Sequence, residues 1–343
     1  MENSKKILIT GGSGFIGSHT AVALMQAGFE PVILDNLSNS SEETLNGIAQ
    51  ITGRRPVFFK GDCSEKNFLS EIMKEVGHIE GIIHFAALKA VGESVAKPLE
   101  YYRNNLDSLM SILEIMRAFH VKNLIFSSSA TVYGEPDDLP ITEQTPRKEA
   151  SSPYGNTKKM AEDIISHVAK SEEFPFSAIL LRYFNPIGAH SSGLIGELPL
   201  GTPNNLVPYL TQAAAGKRDP LTVFGSDYPT PDGSGIRDYI HVMDLAEAHV
   251  AALSFLIKKE NLTHYCDAFN VGTGQGTSVL ELISSFEKET GVKVPHRFGL
   301  RRKGDIAACW ADTTKINREL GWRAKRTVAE ALRDAWRWEN THK

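Results

Sequence analysis

The sequence of 343 residues predicts an α/β protein, in which a Rossmann-type doubly wound parallel sheet is joined to a smaller mixed α/β C-terminal lobe. Three observations predict it: short runs of Ile, Val, Leu and Phe, amphipathic segments between those runs, and a glycine-rich turn directly after the first run. Apolar runs without polar alternation are typical of strands buried on both faces. Such strands, when helices connect them, form parallel sheets with right-handed crossovers.

Six apolar runs in the first half of the chain are the predicted strands of this sheet. In chain order they are Lys5–Thr10, Pro31–Asp35, Val57–Asp62, Gly81–Ala87, Asn123–Ser129 and Ser177–Phe184. The predicted helices with the clearest amphipathic pattern between them are Ile16–Gly28, Leu99–His120 and Tyr154–Lys170. This alternation of strands and helices predicts a Rossmann domain over residues 1–188.

The alternation ends after Gly188, where Gly, Pro, Asn and Ser become frequent. Farther along, the pattern predicts helices at Tyr239–Leu256, Val279–Thr290 and Val328–Glu339, and one strand at Ala268–Val271. We therefore expect residues 236–272 to return to the Rossmann domain. Residues 189–235 and 273–343 are expected to form the second lobe.

Composition excludes several classes of protein. Apolar residues make up 41% of the chain and charged residues 23%, which is an ordinary globular composition. The formal net charge of −4 gives no basic footprint for nucleic acid, and no apolar stretch suggests a membrane span or a signal peptide. The three cysteines are odd in number and far apart, so we expect a reducing cytoplasm, with neither a disulfide framework nor a zinc site.

The glycine-rich turn after the first strand carries Gly11, Gly14 and Gly17, a variant of the dinucleotide fingerprint. Glycines there permit a tight turn and a close approach of pyrophosphate to the N-terminus of the following helix. Asp35 ends the second strand, where a carboxylate binds ribose hydroxyls and repels a 2′-phosphate, so NAD is favoured over NADP. Asp62 is expected beside the adenine, with a plain turn aspartate as the alternative.

A second glycine-rich stretch, Gly272–Gly276, has the spacing G-x-G-x-G. It lacks the third glycine at the place where the dinucleotide fingerprint needs it. We therefore interpret it as a turn that borders the second lobe.

Tyr154 and Lys158 lie four residues apart on a predicted helix, so both side chains are on one face. A phenol with a pKa near ~10 is a poor base at neutral pH, but a nearby ammonium favours its phenolate. Ser129 ends the fifth strand at the sheet edge where sites of α/β proteins form. A chance Tyr-x-x-x-Lys is the alternative, but only one occurs, and it follows that strand.

The order of these motifs resembles the extended short-chain dehydrogenase/reductase family, and most of all its members that epimerise UDP-hexoses at carbon 4. The resemblance covers almost the whole chain. The segments that carry it are Thr10–Thr20, Leu34–Leu37, His84–Ser94, Phe126–Gly134, Ser152–Lys158, Leu181–Gly188, Pro203–Tyr209, Val223–Gly225, Arg237–Leu245 and Arg301–Asp312. The resemblance implies an NAD that is reduced and reoxidised in each turnover, with a 4-keto sugar between the two steps.

The resemblance also implies the site residues. Besides Gly11, Gly14 and Gly17, the expected NAD contacts are Phe15, Ile16, Asp35, Asn36, Leu37, Ser38, Asn39, Ser40, Asp62, Cys63, Phe85, Ala86, Ala87, Leu88, Lys89, Asn104, Lys158 and Phe184. The expected UDP-sugar contacts are Ser129, Tyr154, Asn185, Asn205, Val223, Phe224, Arg237, Arg302, Asp305 and Cys309. Arg237 and Arg302 suit a diphosphate, with surface ion pairs as the alternative, and Phe224 offers a ring face to uracil.

Cys309 departs from the family members that carry a tyrosine at this position. A small residue leaves room for an N-acetyl group at carbon 2 of the sugar, so we expect activity on UDP-GlcNAc and UDP-GalNAc as well. The family also implies a homodimer that pairs Leu99–His120 with the Tyr154 helix.

Two alternatives remain for the function. A nucleotide-sugar 4,6-dehydratase has the same fold but needs an acid pair after the strand-5 serine, where this chain has Ala130 and Thr131. A non-catalytic NAD-binding scaffold is the other alternative, although such proteins often lose the Tyr/Lys pair that this chain retains.

Overall fold

The computed structural model describes residues 4–259, 262–302 and 304–341. Its main sheet has seven parallel strands in the order β11-β6-β5-β4-β1-β2-β3. These strands are β1 (Lys6–Thr10), β2 (Glu30–Asp35), β3 (Val57–Lys60), β4 (Gly81–His84), β5 (Asn123–Ser129), β6 (Ser177–Tyr183) and β11 (Cys266–Val271). The predicted Rossmann-type fold class is confirmed.

Helices cover both faces of this sheet. In the first half they are α1 (Phe15–Gln26), α2 (Thr44–Thr52), α3 (Lys66–Val76), α4 (Val91–Ala96), α5 (Pro98–Ala118) and α6 (Pro153–Ala169). One apolar core lies under α1 and α2, and includes Ile9 and Ile33 of the sheet. The other lies under α3, α5 and α6, and includes Leu8 and Leu124. Because neighbouring residues of one strand enter opposite cores, the apolar runs show no polar alternation.

The second half adds a smaller lobe with a core of its own, to which Val223, Leu282 and Leu332 contribute. Its strands are short: β7 (Asn185–Ile187), β8 (Leu221–Phe224), β9 (Ile236–Arg237), β10 (Tyr239–His241), β12 (Thr277–Ser278), β13 (His296–Gly299) and β14 (Ala308–Cys309). Its helices are α7 (Leu206–Ala214), α9 (Val279–Thr290) and α11 (Val328–Thr341). Two helices of the second half pack on the main sheet instead: α8 (Val242–Lys258) lies against α1, and α10 (Thr314–Leu320) lies against β11.

Several predicted elements have different ends in the structure, most of them by one or two residues. β3 ends at Lys60 rather than Asp62, and β4 ends at His84 rather than Ala87, because the chain leaves the sheet there to line a cleft. The helix predicted over Tyr239–Leu256 is wrong at its start. Its first three residues form β10, and α8 begins at Val242, capped by the His241 ring, which accepts a hydrogen bond from the backbone N–H of Met243 at 3.0 Å.

In the described ranges, no helix has both the length and the apolar character that crossing a membrane requires. Cys63, Cys266 and Cys309 are free thiols.

Candidate active site

A cleft of about 830 Å³ runs along the carboxyl ends of the main-sheet strands. Nearly all of the expected cofactor contacts line it. They are Gly11, Gly14, Phe15, Ile16, Gly17, Asp35, Asn36, Ser38, Asn39, Ser40, Asp62, Cys63, Phe85, Ala86, Ala87, Leu88, Lys89, Asn104, Lys158 and Phe184. Leu37 is the expected contact that does not line the cleft. It has a left-handed φ of 59° and donates its N–H to Asp35 Oδ1 at 2.9 Å.

The glycine-rich turn is shaped by close backbone contacts. A Cβ atom at Gly17 would overlap the carbonyl oxygen of Gly11 and lie 2.7 Å from the Cα of Gly12. Gly11 itself has a left-handed φ of 69°. The side-chain oxygen of Ser13 is buried in this turn with no hydrogen-bond partner among the described residues. A tight turn at a helix N-terminus that holds an unpaired hydroxyl fits a bound pyrophosphate.

Asp35 connects this turn to the ribose side of the cleft. Its Oδ2 accepts a hydrogen bond from the Ser13 N–H at 3.0 Å, and its Oδ1 accepts one from the Ser40 hydroxyl at 2.8 Å. Asn36 donates to Asp62 Oδ2 at 3.0 Å, so the ends of β2 and β3 are joined. A carboxylate fixed in this position suits ribose hydroxyls and opposes a 2′-phosphate, and the residues therefore fit NAD.

Tyr154, Lys158 and Ser129 line the same cleft. The helix α6 begins at Pro153, and the Ser152 hydroxyl caps it by accepting the Gly155 N–H at 3.2 Å. That cap places Tyr154 in the first turn and Lys158 one turn farther on the same face.

Burial controls the protonation of this pair. It raises the pKa of Tyr154 to about 12, although the hydrogen bond with Ser129 acts in the opposite direction. It also lowers the pKa of Lys158 to about 7, with the charge of Glu162 opposing that shift. The Lys158 ammonium lies 6.0 Å from the Tyr154 ring centroid and donates to the Ser127 carbonyl at 2.6 Å. Without a ligand, the pocket therefore keeps the phenol neutral.

The expected substrate contacts fall into two groups in the structure. Asn185 and Asn205 line the cleft with Ser129 and Tyr154. The others are not among its lining residues and lie on β8, β9, β14 and the loop before β14: Val223, Phe224, Arg237, Arg302, Asp305 and Cys309.

This second group forms a polar and aromatic cluster in the smaller lobe. The Arg302 guanidinium lies 4.8 Å from the Phe224 ring centroid and donates to Asp305 at 2.8 Å. Cys309 pairs with Arg237 between β14 and β9. The Val223 side chain is buried in the core of the lobe.

A loop of the smaller lobe closes one side of the cleft through Glu197. This carboxylate accepts hydrogen bonds from the Lys89 ammonium at 3.1 Å and from the Asn205 amide at 2.6 Å. It thus joins an expected cofactor contact to an expected substrate contact. The sequence gives no signal for this link, because the partners come from distant parts of the chain.

The second glycine-rich stretch is a turn wrapped around a buried carboxylate, in agreement with its interpretation as a non-nucleotide turn. The backbone N–H groups of Thr273 and Gly274 donate to Asp238 at 2.8 and 3.0 Å. A Cβ atom at Gly272 would overlap the same carboxylate.

Sequence reasoning also missed a buried ion pair behind the catalytic pair. Arg182 and Glu162 are joined at 2.7 Å, with side chains 7% and 2% exposed. The available signal was the spacing, since Glu162 follows Lys158 by one helical turn and therefore shares its buried face.

The family model described as GDP-mannose 4,6 dehydratase matches residues 8–335. The UDP-glucose 4-epimerase of Bacillus subtilis (strain 168) is 54% identical over 338 residues, which are 98% of this chain and 97% of that protein.

Two solved structures have the same fold. The UDP-glucose-4-epimerase of Stenotrophomonas maltophila, with bound NAD and formylated UDP-arabinopyranose, has a TM-score of 0.94 and 47% identity, with 98% of each chain covered. The UDP-glucose 4-epimerase of Bifidobacterium longum, in complex with NAD+ and UDP, has a TM-score of 0.92 and 46% identity, with 98% of this chain and 99% of that chain covered. The similarity extends over both lobes.

Proposed function

The chain belongs to the family of the matching dehydratase model and, by its relatives, to the UDP-glucose 4-epimerases, and from this premise we propose that it interconverts UDP-glucose and UDP-galactose. The observation that carries the proposal is the placement of Tyr154, Lys158 and Ser129 in the cleft that also contains the glycine turn and Asp35. NAD, when bound, accepts a hydride from carbon 4 of the sugar and gives it back.

The protein's own residues move the proton. Tyr154 takes it from the 4-hydroxyl as a 4-keto sugar forms, and returns it to the oxygen on the new face of carbon 4. Lys158 supplies the positive charge that offsets the burial of the phenolate, and Ser129 hydrogen-bonds the same oxygens. The hydride and the proton both return to the sugar, so the net change is an inversion without oxidation.

We assign the cofactor to residues 1–188 and 236–272, and the UDP portion to residues 189–235 and 273–343. The place of β11 beside β6 in the main sheet supports the first assignment. The Arg302 guanidinium beside the Phe224 ring supports the second, because a ring face and a guanidinium suit a uridine diphosphate. Arg237, at the start of the 236–272 segment, adds a second guanidinium from β9. The free thiols support a reducing cytoplasm as the location.

The 4,6-dehydratase alternative lacks the acid that elimination requires. At that place Ala130 has no exchangeable proton, and the Thr131 hydroxyl donates to Ser129 Oγ at 3.0 Å. The deciding experiment incubates the purified protein with UDP-galactose, without added NAD, and identifies the product. UDP-glucose supports the proposal, a 4-keto-6-deoxy sugar nucleotide supports the dehydratase, and no turnover supports the scaffold.

We also propose that the enzyme acts on UDP-GlcNAc and UDP-GalNAc. Cys309 supports this because it is a small side chain, 9% exposed, that packs with Val132, Tyr133 and Phe184. Phe184 lines the cleft, so Cys309 belongs to an apolar cluster that reaches the cleft wall. The volume that a larger side chain would occupy is then available to a substituent at carbon 2.

Cys309→Tyr should lower turnover of UDP-GalNAc by about 100-fold or more, while UDP-galactose turnover changes less than about threefold. The added ring has no space within the core beside Phe184 and must enter the sugar site. Initial rates on both substrates at matched enzyme concentration check this, with Cys309→Ala as the control that keeps both activities. A wild-type enzyme inactive on UDP-GalNAc would contradict the proposal.

We propose that two copies pair through the surface of α4, α5 and α6. This surface exposes Val95, Leu99, Met110 and Met160, whose exposed fractions run from 38% to 79%. Sedimentation at micromolar concentration should show a dimer, and the double change Leu99→Glu with Met110→Glu should give monomers. Leu300→Glu is the matched control, since Leu300 is 92% exposed but lies in the other lobe. Wild-type monomers would disprove this pairing.

A further inference from the structure

A buried polar network lies directly behind the Lys158 ammonium. The carboxylate of Glu162 accepts hydrogen bonds at Oε1 from the Ser128 hydroxyl at 2.5 Å and from Arg182 Nε at 2.9 Å. At Oε2 it accepts from Arg182 Nη2 at 2.7 Å and from Arg147 Nη1 at 3.2 Å. Both oxygens are therefore held, and a carboxylate held in this way has one orientation.

This carboxylate contacts the end of β5 at the point where the strand enters the site. Three consecutive serines there contact three different residues. Ser127 accepts the Lys158 ammonium through its carbonyl, Ser128 donates to Glu162, and Ser129 faces the Tyr154 phenol. Ser128, which binds Glu162, is the strand neighbour of Ser129, so Glu162 helps to fix the position of Ser129.

The network continues away from the cleft. Arg182 Nη1 donates to the Tyr133 hydroxyl at 2.8 Å, and Tyr133 donates to Asn270 at 2.6 Å. The Asn270 amide donates to the Ile141 carbonyl at 2.9 Å. Because every member has a partner, replacing one of them leaves a buried polar group unpaired.

Titratable groups from several elements surround Lys158 and its helix neighbours Glu162 and Tyr154. His84 on β4 interacts with Lys158 itself, Tyr101 on α5 and Tyr183 on β6 interact with Tyr154, and Glu162 interacts with Tyr133, Arg147 and Arg182. Burial lowers the pKa of His84 to about 3, with the Lys158 charge adding to the shift, so this ring is neutral. The anion that raises the pKa of Lys158 is Glu162.

We propose that Glu162 is a positioning residue for the reaction, whose carboxylate, fixed by Arg182, holds Ser128 and with it the end of β5, so that Ser127 and Ser129 meet Lys158 and Tyr154. The inference rests on the proposed epimerase function. A lysine that must be charged loses its effect as the pH rises through its pKa, so Glu162 extends activity toward higher pH.

The test compares pH profiles of kcat for UDP-galactose in the holoenzyme. Glu162→Gln should move the high-pH limb to lower pH by about one unit or more, because the charge opposing burial is lost. Glu162→Asp retains the charge and loses contacts, so kcat should fall while the limb stays in place. Arg147→Met should move the limb the other way, because a positive charge beside Glu162 is removed.

Asp163→Asn is the matched control, since Asp163 pairs with Arg147 on the exposed side of the same helix and should leave the limb unchanged. A loosened fold would lower kcat evenly across pH, and an even loss in Glu162→Gln would overturn the inference. If neither Glu162 variant folds, Arg147→Met tests the inference, because the Arg147 side chain is partly exposed. The direction in which its high-pH limb moves then supports or overturns the role of Glu162. A wild-type enzyme without turnover would instead overturn the proposed function.

Discussion

Replacing Tyr154 by phenylalanine should lower kcat for UDP-galactose by about 10³-fold, while KM changes by less than about threefold. The hydroxyl is the group that exchanges the proton with the 4-hydroxyl of the sugar, and phenylalanine has no such group. The ring is retained, so binding and packing of α6 should persist. Steady-state rates and a thermal unfolding curve measure the two effects separately.

A matched control for this change is Tyr102→Phe. Tyr102 accepts a hydrogen bond from Asn156 of the same helix at 2.7 Å, but does not line the cleft. Its loss removes about 1 kcal/mol of stability and should leave kcat within about twofold. Equal rates for wild-type and Tyr154→Phe would show that another group carries the proton.

Gly17→Ala should yield a protein that is purified without NAD and has no measurable epimerase activity. The new methyl group would overlap the Gly11 carbonyl and crowd the Gly12 Cα at 2.7 Å, and both are backbone atoms that cannot rotate away. The start of α1 must then move off the glycine turn, and the N–H groups that suit a pyrophosphate lose their positions. Release of bound nicotinamide on denaturation, followed by its spectrophotometric assay, measures the cofactor content.

Gly92→Ala is the control for this change, because a Cβ atom at this helical glycine meets no atom within 4 Å. This variant should retain the cofactor, and helix propensity favours alanine by about 1 kcal/mol. A Gly17→Ala protein with a full complement of NAD would disprove the role given to the turn.

Much of the sheet could be predicted because its signal is local. β5 lies where its apolar run predicted it, and the glycine turn follows β1 directly. The end of β4 could not be predicted, because Phe85, Ala86 and Ala87 leave the sheet to line the cleft but have apolar side chains. The start of α8 could not be predicted either, because Tyr239–His241 and the helix form one continuous buried stretch.

The site residues also differ in whether a local sequence pattern identifies them. Tyr154, Lys158 and Ser129 are recognisable from spacing on one helix and one strand end. The Glu197 link between Lys89 and Asn205 depends on how the two lobes meet, which no local pattern encodes. In the sequence, only the resemblance points to Cys309. Its packing in one cluster with Phe184 is visible only in the folded structure.

The pairing of β11 with β6 has a consequence for synthesis on the ribosome. β6 emerges early, and its residues Ile179 and Leu181 are fully buried in the finished sheet. Its outer partner, Cys266–Val271, is translated only after the whole segment between the two strands. Until then the nascent chain has an open, apolar sheet edge, of the kind that pairs with other chains. Translation pauses before β11 has emerged from the ribosome should therefore favour aggregation, and pauses after it has emerged should not.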